Sequence, residues 1–300
     1  MTDNSILANN LMLGFNYSKK KKQAIVAEGG GFRNIFSAGV LDAFISSEFD
    51  DFDIYIGVSG GAMVLSSYVG KQYKRSARII TEIAAHPDFL SAKRYIAGGD
   101  YLGLDVLMDI ENKVYPFDYE TALKNIADKD FIIVCTDVDS GQPVYMRPDA
   151  KHWNLYLKAS GSLPILTRSP VDIQNKHLLD GALSSPLPVA RAIEMGAERI
   201  VVIRTRPIGV QESHIESNIE GIISSYLYRE LPMVQKVIRE HAGIYNRANE
   251  LMQNPPKGVE IIQIAPPEVL ECSIAHQTLR TLKNDYRLGM EMGMDFVNSI

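Results

Sequence analysis

The chain has 300 residues, of which 46% are hydrophobic and 22% charged, an ordinary globular composition with length enough for a large core. A formal net charge of -5 provides no global basic field, so no nucleic-acid partner is expected. The two cysteines, Cys135 and Cys272, lie far apart without metal-ligand spacing, which argues against a disulfide framework and fits a reducing cytosol.

The first twenty residues are polar and lack a charged-then-apolar signal pattern, and no run of about 18 apolar residues occurs. Cytoplasmic residence is therefore the expectation. Lys19 to Lys22 form the one strong charge block; it reads as a solvated approach to the first strand in preference to a contact with anionic lipid. Gln23 to Glu28 reads as a strand and Gly29-Gly30-Gly31 as a loop. Ile35, Phe36, Val40, Leu41, Phe44 and Ile45 then recur at helical spacing. Asp53 to Ile56 predicts a second strand and Ala62 to Val69 a helix.

A helix is predicted from Arg78 to Ala85 and a short one around Leu102 to Ile110. Phe131 to Cys135 reads as a buried strand that turns at Asp139 to Gln142 and pairs back through Val144 to Met146. Further elements are a helix at Trp153 to Ser160, a strand at His177 to Asp180, a helix at Val189 to Met195 and a strand at Ile200 to Ile203. Strands alternating with helices imply an α/β fold with a mainly parallel sheet covered on both faces. After Pro207 a helical face runs from Ile219 to Leu231, Pro232 breaks or kinks it, and the spacing resumes from Val234 to Leu251. A strand from Val259 to Ile264 and a helix from Ser273 to Val297 close the chain. Met290, Met292 and Met294 in that helix read as core filler.

Three segments carry chemistry. Gly57-Val58-Ser59-Gly60-Gly61 is G-x-S-x-G between a strand and a helix, the setting in which a serine is held on a strained turn and exposed for nucleophilic acyl transfer. Glu28-Gly29-Gly30-Gly31-Phe32-Arg33 places consecutive glycines at a helix N-terminus, where converging amides suit a phosphate or an oxyanion. Beside the serine motif the oxyanion reading is the stronger. The dinucleotide fingerprint fails at Asn34, and no Gly-Lys-Ser/Thr terminus completes a phosphate loop, so no cofactor is expected. Asp180-Gly181-Ala182 puts a carboxylate at a strand end; taken alone it is a turn aspartate. Asp137 to Gly141 begins like a calcium loop but lacks its third ligand and terminal glutamate, so no metal site is expected.

Together these segments resemble the patatin-like phospholipase family: GGGFR at Gly29 to Arg33, GVSGG at Gly57 to Gly61 and DGA at Asp180 to Ala182. Thr136 to Gly141 and Ala159 to Pro164 are similar to the family as well, and the likeness spans about residues 21 to 206. Three departures stand out: Glu28 where aspartate is frequent, Asn34 where glycine often follows the basic residue, and Ala182 for the second glycine. The resemblance implies a three-layer α/β/α domain at 21–206, with a polar segment at 1–20 and a mostly helical C-terminal extension at 207–300 packed on it. It also implies a Ser59-Asp180 dyad in which Asp180 accepts the serine proton directly. Amides around Gly30, Gly31 and Phe32 would hold the oxyanion, with Arg33 assisting by charge or bracing the loop. The implied partner is a lipid or acyl-ester substrate, with peripheral membrane contact left open and no oligomeric state set. Two rivals remain: a Ser-Asp-His esterase using His214, His241 or His276, and a non-enzymatic module that binds anionic lipid.

Overall fold

The structure, a computed structural model, describes residues 21–213 and 229–300. The predicted helical face at 219–231 and Lys19 and Lys20 fall wholly or mostly outside the described residues. In chain order the elements begin with β1 (Gln23–Ala27), α1 (Asn34–Ser46), β2 (Ile54–Val58), α2 (Gly60–Val69), α3 (Arg75–Ala85) and α4 (Ala92–Ile96). Next come α5 (Leu104–Lys113), α6 (Tyr119–Asn125), β3 (Asp130–Asp137), β4 (Pro143–Met146), α7 (Trp153–Ser160), β5 (Val171–Ile173) and β6 (Lys176–Asp180). The chain ends with α8 (Val189–Glu194), β7 (Arg199–Ile203), α9 (Pro232–Gln253), β8 (Glu260–Ile264) and α10 (Leu279–Asn298).

The strands form one sheet with hydrogen-bonded path β5-β6-β3-β2-β1-β7-β8, and β4 also pairs with β3. Strands β3, β2, β1, β7 and β8 are mutually parallel, while β4, β5 and β6 run antiparallel to their neighbours. Strand periodicity divides the core in two. Ile25, Tyr55, Phe131, Ile133 and Val201 face one layer, packed with α1, α2, α7 and α10 residues. Ala24, Ile54, Ile132, Ile200 and Val202 face the other, with Val189 of α8 and Tyr245 of α9. The predicted three-layer arrangement is therefore present, and the helical C-terminal part also adds a strand, β8, to the sheet edge.

Helix α10 lies directly on α1. A Cβ at Gly289 would stand 2.1 Å from Phe36 O, and one at Gly39 would stand 2.3 Å from Tyr286 O, so only glycine permits this approach. Phe296 then packs on Phe44 and Phe49. Met290, Met292 and Met294 are half-buried along the same helix. Pro232 starts α9 at a position where its missing N–H costs nothing. The last helix begins at Leu279 and not Ser273, because Thr278 and Thr281 form a capping box there. Among the described residues no helix is long and apolar enough to cross a membrane.

Candidate active site

Strand β2 delivers Ser59 to a turn with φ 53° and ψ -128°, a left-handed conformation rare for a residue with a side chain. The turn is held from several sides. The Ser59 N–H donates to Ser160 Oγ at 2.8 Å, and that hydroxyl donates to Val134 O at 2.6 Å. Gly61 passes so close to β1 that a Cβ would stand 2.3 Å from Ala27 O, and Gly57 packs as tightly under Ala62. Gly60 lies against Asn34.

The sheet register explains why Asp180 arrives beside Ser59. Successive amides of a strand point to opposite sides. On β3 the even-numbered ones serve both β2 and β6: Asp130 N–H donates to Asp53 O, and Val138 N–H, just past the strand, donates to His177 O. The odd-numbered Asp137 N–H donates instead to Gln142 O, toward β4. Strand β6 thus continues on the side of β3 that β2 vacates. Val58 pairs with Val134, and the next residue, Cys135, pairs with Asp180. Gly181 is pressed onto β3 at this junction, where a Cβ would stand 2.2 Å from Val134 O.

Asp180 is fully buried. Its Oδ1 accepts the Ala182 N–H at 2.8 Å, which fixes the carboxyl plane. Its Oδ2 has no partner at full hydrogen-bond geometry, while the Ser59 hydroxyl is close enough to act on the carboxylate as a donor. The two groups abut without a closed bond. Burial pushes the Asp180 pKa up to about 7, against the lowering effect of the Ala182 hydrogen bond and of the nearby Ser59 hydroxyl. A carboxylate of that basicity is suited to take a proton near neutral pH.

The glycine loop runs beside this pair. A Cβ at Gly29 would stand 3.0 Å from Ser59 Cβ, and Gly30 abuts Thr205. Gly31 (φ 57°), Phe32 and Arg33 form a 3-10 turn leading into α1. The Arg33 N–H bonds back to Gly30 O at 3.1 Å, so the amides of Gly30, Gly31 and Phe32 stand ahead of the first closed turn. The Arg33 side chain sits among Arg206, Glu28, Tyr245 and Cys272; burial and Arg206 lower its pKa, and Glu28 opposes them. That placement suits bracing the loop.

Residues beyond the three motifs support the loop. Glu28 accepts the Thr205 N–H at 2.7 Å and the Tyr245 hydroxyl at 2.9 Å, and Tyr245 in turn accepts from Arg204 at 2.8 Å. Asn34 donates to Glu28 O at 2.9 Å, a bond glycine at this position lacks. Tyr245 and Thr205 carry no motif signal, because their partner is remote in sequence. Neither described late histidine hydrogen-bonds Ser59 or Asp180: His241 bonds Ala182 O, two residues past Asp180, at 3.1 Å, and His276 closes an exposed turn with Ser273. His214 lies outside the described residues.

Ser59 opens onto an apolar cavity whose walls include Met63, Val64, Ile79, Ile80, Leu104 and Leu107. Gly31, Phe32 and Ile274 line it near the loop, and Ile274 comes from the segment before α10. Lys21 and Lys22 lie at the other end of β1 from the glycine loop, paired with Glu260 and Met195 O.

A family model described as patatin-like phospholipase matches residues 25–193. A second, described as a domain of unknown function (DUF6363), matches residues 231–300. The uncharacterized protein YjjU of Escherichia coli (strain K12) is 30% identical over 278 residues, covering 92% of this chain and 77% of YjjU. Among solved structures, VipD from Legionella pneumophila is similar with a TM-score of 0.45 and 11% identity, over 93% of this chain and 67% of VipD. A chain of the SpcU–ExoU complex from the type III secretion system of Pseudomonas aeruginosa is similar with a TM-score of 0.30 and 14% identity, over 74% of this chain and 52% of that one.

Proposed function

The chain belongs to the patatin-like phospholipase family, and from that premise we propose that it hydrolyses carboxylic esters of lipid-like acyl chains through a Ser59-Asp180 dyad. The observation that carries this reading is the strained Ser59 set against a buried, half-partnered carboxyl at the head of an apolar cavity. Ser59 Oγ attacks the ester carbonyl carbon while its proton passes to Asp180 Oδ2. The carbonyl oxygen becomes an oxyanion facing the amides of Gly30, Gly31 and Phe32, whose donors need no reorganisation as charge develops. Collapse expels the alcohol, which takes the proton from Asp180, and leaves an acyl-Ser59. Water activated by Asp180 then releases the acid and restores Ser59. The positive φ of Ser59 is held in place by Ser160 and the surrounding glycines.

The division into a catalytic region at 21–206 and an extension at 207–300 belongs to the same proposal, with the extension acting through Tyr245 and Ile274 on the loop and the cavity mouth. Residence in the cytoplasm with peripheral contact to a membrane surface fits a lipid substrate. The test is labelling by a fluorophosphonate probe and turnover of acyl esters. Ser59→Ala should abolish labelling and lower turnover by roughly 10⁴-fold or more. Wild-type turnover in both Ser59→Ala and Asp180→Asn would sink the dyad.

A further inference from the structure

The cavity that begins at Ser59 is apolar along its walls but not at its far end. Glu111 and Ser76 line it there. Helix α5 places Leu104, Leu107, Ile110 and Glu111 on its buried face, so a carboxyl occupies what the pattern makes a core position. Glu111 is 2% exposed and Arg75 is 6% exposed. Glu111 Oε1 lies 3.8 Å from Arg75 Nη1, while Oε2 is buried with no hydrogen-bond partner. Arg75 is otherwise engaged with Tyr115 O at 2.9 Å and Ser67 Oγ at 3.1 Å, and Ser76 donates to the same Ser67 oxygen at 2.8 Å. Burial raises the Glu111 pKa, with Arg75 opposing. A buried carboxyl oxygen left open beside an apolar cavity costs free energy unless a ligand completes it.

Resting on the hydrolase reading of Ser59, we propose that Glu111 selects acyl chains that carry a hydroxyl at the end distal to the ester. A hydroxyl both donates and accepts, so it bonds Glu111 Oε2 whether that carboxyl is ionised or neutral. The length follows from the helix between the two sites. Ser67, joined through Arg75 Nη1 to Glu111, marks the Glu111 end and is eight residues beyond Ser59 along α2, about 12 Å at 1.5 Å per residue. An extended alkyl chain, with C–C bonds of about 1.5 Å at about 111°, advances about 1.25 Å per carbon. The hydroxyl therefore belongs roughly ten carbons from the ester carbonyl.

The experiment compares kcat/KM for 4-nitrophenyl esters of six- and ten-carbon acids, each with and without a terminal hydroxyl. A shorter chain leaves its hydroxyl between Met63, Ile79 and Leu104, so the six-carbon hydroxy ester should lose roughly tenfold or more against its plain partner. The ten-carbon hydroxy ester should equal or exceed its plain partner. Glu111→Gln, which keeps an oxygen in place, should retain that ratio. Replacing the pair together, Arg75→Met with Glu111→Leu, should reverse it by roughly tenfold without leaving one charge stranded. Equal rejection of both hydroxy esters by wild type, or an unchanged ratio in the double variant, overturns the inference; should the double variant fail to fold, the wild-type length series decides. Plain-ester turnover combined with that rejection leaves the hydrolase reading standing, whereas absence of all turnover and of fluorophosphonate labelling removes both.

Discussion

Asp180→Asn should make the protein more stable while removing its activity. The folded chain holds this carboxyl fully buried with a pKa of about 7, against 3.8 for an aspartate in water. Between those values the unfolded chain gives up the proton and the folded chain keeps it, so native stability falls as pH rises through the window from 3.8 to about 7. Above that window the cost is constant. At 1.36 kcal/mol per pH unit the gap amounts to about 4 kcal/mol, an upper bound for the variant's gain. Asparagine carries no such charge. Its carbonyl oxygen still accepts the Ala182 N–H, and its amide takes the place of the open Oδ2 beside Ser59. For 300 residues the unfolding entropy corresponds to about 0.6 kcal/mol per degree. The increase in Tm should therefore reach at most roughly 7 °C at pH 8, shrinking to roughly 3 °C at pH 5, where about 2 kcal/mol of the cost has accrued. Calorimetry of both proteins across that range measures it. A Tm gain independent of pH, or a loss at pH 8, would refute the burial argument.

The same carboxyl sets the rate profile: kcat/KM for an acyl ester should fall about tenfold per pH unit below about 7 and level off above it, since only the carboxylate accepts the Ser59 proton. A flat profile from pH 5 to 8 would contradict this. Tyr245→Phe leaves the Glu28 Oε1 atom and Arg204 without their shared hydroxyl, and should cost about 2 kcal/mol in urea denaturation. Its effect on turnover should fall on kcat more than on KM, because Glu28 anchors the start of the glycine loop. Gly289→Ala drives a methyl into Phe36 O and should cost about 1–3 kcal/mol by the same denaturation, with α10 displaced from α1.

How much of this was legible in the sequence depended on how local the cause was. Ser59 could be found because a strand, a strained turn and a helix are contiguous and the glycines that relieve the turn lie within two residues. The parallel core strands were equally readable from their apolar runs. Asp180 was not, on its own terms. Its role rests on β6 pairing with β3 where β2 ends, and a pairing between residues 135 and 180 leaves no trace in either segment alone. The Glu28 network has the same character, since Tyr245 stands 217 residues away. Short elements also escaped: α4, α6 and β5 are three to seven residues long, too short to show a period. The break at Pro232 was legible, because a proline fits only the first turn of a helix and α9 begins on it. Glu111 was invisible for a different reason, as a glutamate on an amphipathic helix ordinarily faces water.

The abutment of β2 and β6 on one side of β3 means that the separation of Ser59 and Asp180 is metered by the peptide repeat of a third strand. The 38 residues of chain between Asp137 and Lys176 leave β3 and come back, and they reinforce this spacing from outside, Ser160 accepting the Ser59 N–H and Ser162 O accepting the Asp180 N–H. A shift of β6 by one residue would turn the carboxyl to the opposite face and present Leu179 or Gly181 in its place. The acid-base spacing is thus quantised: it is either right or wholly lost, and small deformations of the outer layers have no intermediate setting to reach.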